Sequence, residues 1–440
     1  MQPQGTPTAG RYYGWVIAWT AFGVMTLAYG VQYCFGVFLP FIEKDLHISR
    51  TQGSLAFALY VLVYSGLSAA SGWLTDRRGP RFVLVLGAVF IGLGYVLTSR
   101  ARNSLELVLA LGLVAGTGMS AAFVPCNATV VRWFVHRRGR ALSISTSGSS
   151  FAAVVVPFAM GGVVDRFGWR TLYLVGAGVA TVALLIGSRL MYRDPEAKGL
   201  SIAGELTSSR RGTGSVPVAT ATAGDAVSLD LHEASRTVDF WLIVGVFLFT
   251  WLVVFIPLVH LSPYAKDAGA SSTVGATLVS MIGVGGLFGR GLSGNVSDRV
   301  GRLSTLTITL VMQVVAFLAF AATASLTVLL PAAALFGMGY GGSTVLFPAL
   351  AGDRFGRAHA GAIVGAVFAS AGALAAVGPF MAAWIRDSTN SYRFAFLFAA
   401  LANVLAIGFV AALHRSGRRA ALLPSQLPSY GLKGGHPGRR

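Results

Sequence analysis

Charge is what this sequence has least of. Only 11% of its 440 residues are Asp, Glu, Lys or Arg, and the acidic side chains number 16, whereas ordinary soluble domains are about 25% charged. With 54% hydrophobic residues and a mean hydropathy of +0.68, a water-soluble globule is excluded, because it would expose too much apolar surface. Cysteine is almost as scarce. Cys34 and Cys126 both fall in apolar runs, which excludes a disulfide framework and leaves them as small core residues. The pass along the chain meets no Ser-His-Asp arrangement, no metal-ligand cluster and no phosphate-binding loop. Neither a catalytic residue, a metal nor a cofactor is therefore expected. The opening "MQPQGTPTAGRYYGW" lacks the short charged-then-apolar layout of a cleaved signal peptide. The first apolar run is read as a retained span.

What is present is a series of uncharged runs long enough to cross ~30 Å of hydrocarbon, for which about 20 residues suffice. They predict twelve helices near 13–41, 52–74, 80–99, 106–130, 141–164, 170–192, 239–263, 272–296, 303–324, 327–351, 360–385 and 393–413. A closed barrel would alternate over about 10 residues instead, so the expected fold is an all-α integral membrane protein. The expected domains are a six-helix bundle over 1–193, a polar linker over 194–237, a second six-helix bundle over 238–413, and a disordered tail over 414–440. Linker and tail are rich in Ser, Thr, Gly, Pro and Arg and have nothing to bury.

The charge balance is +18, but the basic residues sit in short loops without interleaved aromatics, which argues against nucleic acid. They read as topology signals. With both termini inside, inner segments carry 24 Lys and Arg and outer loops 9, the bias that membrane proteins show toward the cytoplasm. The halves also repeat. "GWLTDRRGPR" after helix 2 matches "GNVSDRVGR" after helix 8 at an offset of 222 residues. The same offset relates Arg132 to Arg354, Gly139 to Gly361, Pro157 to Pro379 and Asp165 to Asp387. A duplicated six-helix unit with a substrate path between its halves is implied.

The repeated G-x-x-x-D-R-x-G-R stretch resembles the loop motif of the major facilitator superfamily, where it latches the cytoplasmic gate. That resemblance assigns gating roles to Asp76, Arg77 and Arg81 in the first copy and to Asp298, Arg299 and Arg302 in the second. Three further stretches are similar to the monocarboxylate transporters and their bacterial relatives, including the oxalate–formate exchangers. These are "RYYGWVIAW" with the rest of helix 1, "GTGMSAAFVPCNATVVRWFVHRRGRALSISTSGSS" over helices 4 and 5, and "PLVHLSPYAKDAG" ending helix 7. The resemblance implies secondary transport of small monocarboxylates by alternating access, through proton symport or anion exchange. It also implies a bacterial inner membrane. The chain departs from the family at Gly286, where animal members carry an aspartate, at Tyr33, where they carry a lysine, and in helix 11, which lacks the second cation of the oxalate exchangers. A two-cation dicarboxylate site and the animal proton-coupling pair thereby lose their basis.

The candidate anion site is Arg290, eight residues before Asp298 and so roughly 12 Å deeper at ~1.5 Å per residue. A charge there costs at least ~2.5–3.5 kcal/mol. The competing reading is an arginine that snorkels to the interface or sits in a structural ion pair. Depth weighs against the first, and the absence of an acidic residue within the helix read over 272–296 weighs against the second. Gly283, Gly286 and Gly294 share its face and are expected to leave space around a guanidinium whose planar fork fits one carboxylate. Tyr29 and Tyr33 are four apart on helix 1 and could donate to a substrate, Asn127 is a polar group on helix 4, and Phe123 could shape the apolar end of the cavity. Each also reads as a structural residue. His260, near the outer end of helix 7, is a candidate proton site or a solvated interfacial histidine. The expected partners are a small organic anion, a proton and the lipid bilayer, with a single chain sufficient for function. Drug efflux is the nearest rival, but the helix 5 stretch "SGSSFAAVVVPFAMGG" lacks the Gly-Pro pair of such antiporters. A non-transporting sensor or scaffold is the rival from another class, and linker and tail are short and polar for one.

Overall fold

A computed structural model describes residues 12–134, 138–195, 198, 229, 231–355 and 360–422. Most of the linker, 199–228, and the end of the tail, 423–440, lie outside the described residues. The described chain forms twelve long helices. The first six are α1 (Gly14–Leu46), α2 (Arg50–Arg78), α3 (Pro80–Arg100), α4, α5 (Arg138–Gly161) and α6 (Val164–Leu190). The second six are α7 (Val238–Asp267), α8 (Ser272–Val300), α9 (Arg302–Ala322), α10 (Leu326–Phe355), α11 and α12 (Arg393–Leu422).

Two helices are compound. In α4, Ser104–Leu107 leads through a π-helical stretch, Val108–Ala115, into Gly116–Trp133. In α11, Ala360–Ala375 and Val377–Thr389 meet at Ala376. Ten of the helices are long and apolar enough to cross a membrane. The other two are α2, diluted by Ser, Thr and Gly, and the divided α11. Rows of exposed apolar side chains such as Val89, Leu93, Ile186, Leu401 and Val404 face outward, as a lipid-facing surface requires.

The local signals explain the boundaries. Ser49 caps α2 in a capping box with Gln52, and Asn103, Thr237 and Ser271 cap α4, α7 and α8. The glycine of each repeated loop stretch has a geometric role. Gly79 (φ 82°) joins α2 to α3, and Gly301 (φ 89°) joins α8 to α9, so each single-residue link needs a left-handed conformation open to glycine. Gly168 (φ 73°) interrupts α6, and the predicted start at 170 falls where the unbroken helix begins.

Two boundaries differ from expectation. Leu231–Ser235, within the expected linker, is a short helix, preceded by Leu229, whose backbone N–H donates to Phe355 O at 3.0 Å. The last helix continues to Leu422 past the expected end at 413, because "HRSGRRAAL" is rich in good helix formers. The halves pack through α1 with α7, α2 with α11, and α5 with α8. Both ends of the described chain, residues 12 and 422, lie at one end of the bundle, here the terminal end; the opposite end is the far end.

Candidate functional site

Arg290 lies on α8, about 15 Å from the terminal end of that helix at ~1.5 Å per residue, and its side chain is half-buried. It crosses to the other half. One Nη1–H donates to the Ser150 hydroxyl of α5, and Nη1 also lies 3.5 Å from the Thr146 carbonyl oxygen. Tyr340 of α10 is within hydrogen-bonding reach of the guanidinium, and Tyr33 of α1 is close enough to feel its charge. Tyr29 and Tyr33 are both 8% exposed and stack with their ring centroids 6.0 Å apart. Tyr64 of α2 neighbours Tyr29, Tyr33 and Tyr340. Four helices of the first half and the second half thus bring one cation and four phenols together near the middle of the fold. Among the described residues no carboxylate pairs with Arg290, whose side-chain contacts are to neutral oxygens. The position 222 residues earlier is Ser68, a neutral side chain whose hydroxyl donates to Tyr64 O. The repeat thus supplies no matching charge at this position.

The glycines of α8 do something other than leave space. A Cβ on Gly289 would lie 2.8 Å from the Met338 carbonyl carbon, and one on Gly285 would lie 2.8 Å from that of Ala334. Gly337 and Gly341 of α10 face α8 with comparable closeness, against Ile282 and Gly286. Two G-x-x-x-G pairs thus allow α8 and α10 to pack backbone against backbone, which sets Tyr340 beside Arg290. Gly283 faces α5, with the Val154 nitrogen 2.7 Å from a would-be Cβ. Of the three glycines expected to open the cavity, Gly294 alone has nothing within 4 Å.

The other sequence-derived residues separate in space. Asn127 accepts a hydrogen bond from Ser145 Oγ at 2.8 Å, tying α4 to α5, while Phe123 is 38% exposed. Arg81 donates to Met191 O and Arg189 O, each at 3.3 Å, and stacks over Tyr192, so it closes the C-terminal end of α6. Arg302 pairs with Asp353 of α10, Arg77 stacks over Trp73, and Arg299 is exposed. The side chains of Asp76 and Asp298 lie outside the described residues. His260 is fully buried. Its Nε2–H donates to Pro379 O at 2.8 Å, a carbonyl that can only accept. In the neutral ring Nδ1 then accepts from the Tyr392 hydroxyl at 3.1 Å.

Sequence reading missed Ser150, Tyr340, Tyr64 and Gln32. The serine run of α5 was visible, but a serine in a span is as often bonded to its own helix. Gln32, next to Tyr33 in sequence, has a buried amide with no partner of good geometry among the described residues, and Tyr64 is its polar neighbour. What the arrangement can do is hold one anion. A planar donor fork, flanked by phenolic and serine hydroxyls, is set in an apolar frame where such bonds are strong.

Comparison with known proteins adds a family. A sequence model described as Major Facilitator Superfamily matches residues 21–379. Monocarboxylate transporter 11 of Mus musculus is 31% identical over 301 residues, covering 68% of this chain and 62% of that protein. The chain thus spans less than two thirds of that relative's length. Monocarboxylate transporter 12-B of Danio rerio is 26% identical over 408 residues, covering 89% of this chain and 85% of that protein. Among solved structures, the nucleoside transporter NupG superposes with a TM-score of 0.70 at 11% identity, covering 90% of this chain and 99% of that one.

Proposed function

The chain belongs to the Major Facilitator Superfamily, and on that premise we propose that it carries small monocarboxylate anions across a membrane by alternating access. The observation that carries the reading is Arg290, a permanent cation deep in the bundle, unpaired by any carboxylate among the described residues and ringed by hydroxyl donors. One fixed charge balances one carboxylate. A dianion would lack a second partner, and an apolar or cationic cargo would gain nothing from the desolvated guanidinium, which weighs against drug efflux. Two relatives that match the chain are named as monocarboxylate transporters, in agreement with this chemistry.

Tyr33 and Tyr29 serve as donors and wall, and Phe123 and Asn127 border the path toward the terminal end. The basic bias of the loops puts both termini in the cytoplasm, so the far end is the outer face. The two loop motifs, with Asp76, Arg77 and Arg81 and with Asp298, Arg299 and Arg302, act at the inner gate. Coupling is by proton symport or anion exchange. The enclosure of His260 between Pro379 O and Tyr392 favours the substrate carboxyl over this histidine as the carrier of any proton. Both halves of one chain complete the site, so a monomer suffices.

Uptake of labelled monocarboxylates into proteoliposomes tests the reading. Saturable uptake of an acid, with no competition by its amide analogue, is expected. Uptake indifferent to the carboxylate would refute it.

A further inference from the structure

The far end of the bundle is closed by polar contacts that the transport site does not use, and two of them are made by aspartates that the repeat relates to one another. Asp387, at the end of α11, accepts from the Thr51 backbone N–H at 2.9 Å and from the Thr51 hydroxyl at 2.6 Å. Thr51 is in the first turn of α2, where backbone N–H groups lack partners within the helix. Asp165, at the start of α6, accepts from the Ser272 hydroxyl at 3.1 Å, and Ser272 opens α8. Asp165 and Asp387 are related by the 222-residue repeat. Each aspartate thus reaches from its own half to the positive N-terminal end of a helix in the other.

Between them lies Arg50, only 6% exposed. Its Nε and Nη2 take both oxygens of Glu43 at 2.8 Å, its Nη1 and Nη2 reach Asp267 of the other half at 2.6 and 3.3 Å, and its Nη1 donates to Tyr392 at 3.0 Å. All five guanidinium donors are engaged. Tyr392 passes its own proton bond to His260, and Arg386 joins Asp267, at 3.2 Å, to Asp387, at 3.6 Å.

We propose that this assembly is the outer gate of the carrier, with Asp165 and Asp387 as repeat-related latches and Arg50 as the pin that holds the two halves together when the site faces inward. Opening outward requires α2 to leave Asp387, α8 to leave Asp165, and Arg50 to exchange Asp267 for water. The pin is asymmetric, since the residue 222 positions after Arg50 is Ser272. The latch aspartates are related by the repeat, while their partners are offset by one residue, Thr51 in α2 and Ser272 in α8. The inference rests on alternating access, not on the identity of the substrate, and its test needs no substrate.

Spin labels on cysteines replacing Lys44 and Ala268, both exposed at the far end, report the distance across the gate in purified, reconstituted protein. The background carries Cys34→Ala and Cys126→Ala. The intact latch is expected to give one short distance. Asp165→Ala with Asp387→Ala is expected to add a longer-distance population, raising the open-to-closed ratio on the order of tenfold or more for the loss of charge-assisted hydrogen bonds at both latches. Arg50→Gln is expected to do the same. Thr51→Val with Ser272→Ala removes only the cross-half hydroxyls and is expected to give a smaller shift in the same direction, which keeps the test alive if an aspartate variant fails to insert. Distances unchanged in the latch, pin and hydroxyl variants would overturn the proposal. A protein that shows these shifts yet takes up no monocarboxylate would retain the gate and lose only the substrate assignment.

Discussion

Replacing Gly289 by alanine should disable the anion site without touching any group that contacts the anion. The added Cβ would stand 2.8 Å from the Met338 carbonyl carbon and 2.9 Å from the Gly342 nitrogen, with the Met338 oxygen nearer still. Carbon contacts relax at about 3.5–4 Å, so α8 and α10 must part by roughly 1 Å. Neither obstacle is a flexible side-chain end, so the strain falls on backbone, and overpacking of this kind costs about 1–3 kcal/mol. Parting the helices draws Arg290 away from Tyr340. Losing one charge-assisted hydrogen bond to a bound carboxylate costs about 1.5–3 kcal/mol, or roughly 10- to 100-fold in affinity. Gly291→Ala is the control. Nothing lies within 4 Å of its would-be Cβ, and alanine in a helix should be neutral or stabilising by about 0.4–1 kcal/mol. Thermal unfolding in detergent and the concentration dependence of uptake would be measured for both. Gly289→Ala with wild-type melting and wild-type half-saturation would show that the close approach of α8 to α10 does not position the arginine.

Tyr340→Phe keeps the ring and removes one hydroxyl beside Arg290, and Ser150→Ala removes the acceptor in α5. The first is expected to weaken uptake affinity about 3- to 10-fold for a hydrogen bond of ~0.5–1.5 kcal/mol, and the second to leave affinity equal or higher by freeing an Arg290 donor; competition assays read both. His260→Gln is expected to leave the ratio of uptake at acidic and neutral pH unchanged, because the histidine is enclosed by Pro379 O and Tyr392; a ratio that collapses to one would move the proton onto His260. Membrane-impermeant labelling of a cysteine at 205 should require permeabilised cells, whereas one at 268 should react in intact cells; the reverse pattern would invert the orientation.

Twelve helices and their duplication were legible because apolar runs and repeated loop motifs are local signals. The 222-residue offset, read first as a mark of duplication, also holds for the left-handed glycines Gly79 and Gly301, and its pair Asp165 and Asp387 bonds across the halves. Arg290 was legible because a cation in an apolar run is costly wherever it points. The meaning of its glycines was not. Spacing shows that Gly283, Gly286 and Gly294 share a face of α8, but only the position of α10 and α5 decides whether such a face borders a cavity or a backbone. The outer gate was hidden for a related reason. Glu43, Arg50, Asp267 and Tyr392 come from four separate segments, and each alone reads as an ordinary interfacial charge or ring.

The most direct measurement is equilibrium binding of a labelled monocarboxylate to purified Arg290→Ala beside the wild type and Arg290→Lys, with melting temperature read on the same samples. Removing the guanidinium also removes a desolvation cost of at least ~2.5–3.5 kcal/mol, so Arg290→Ala should melt at or above the wild-type temperature while losing saturable binding. Arg290→Lys, which keeps the charge and loses the fork, should bind weakly. Wild-type affinity in Arg290→Ala would contradict the account and leave the arginine a structural residue.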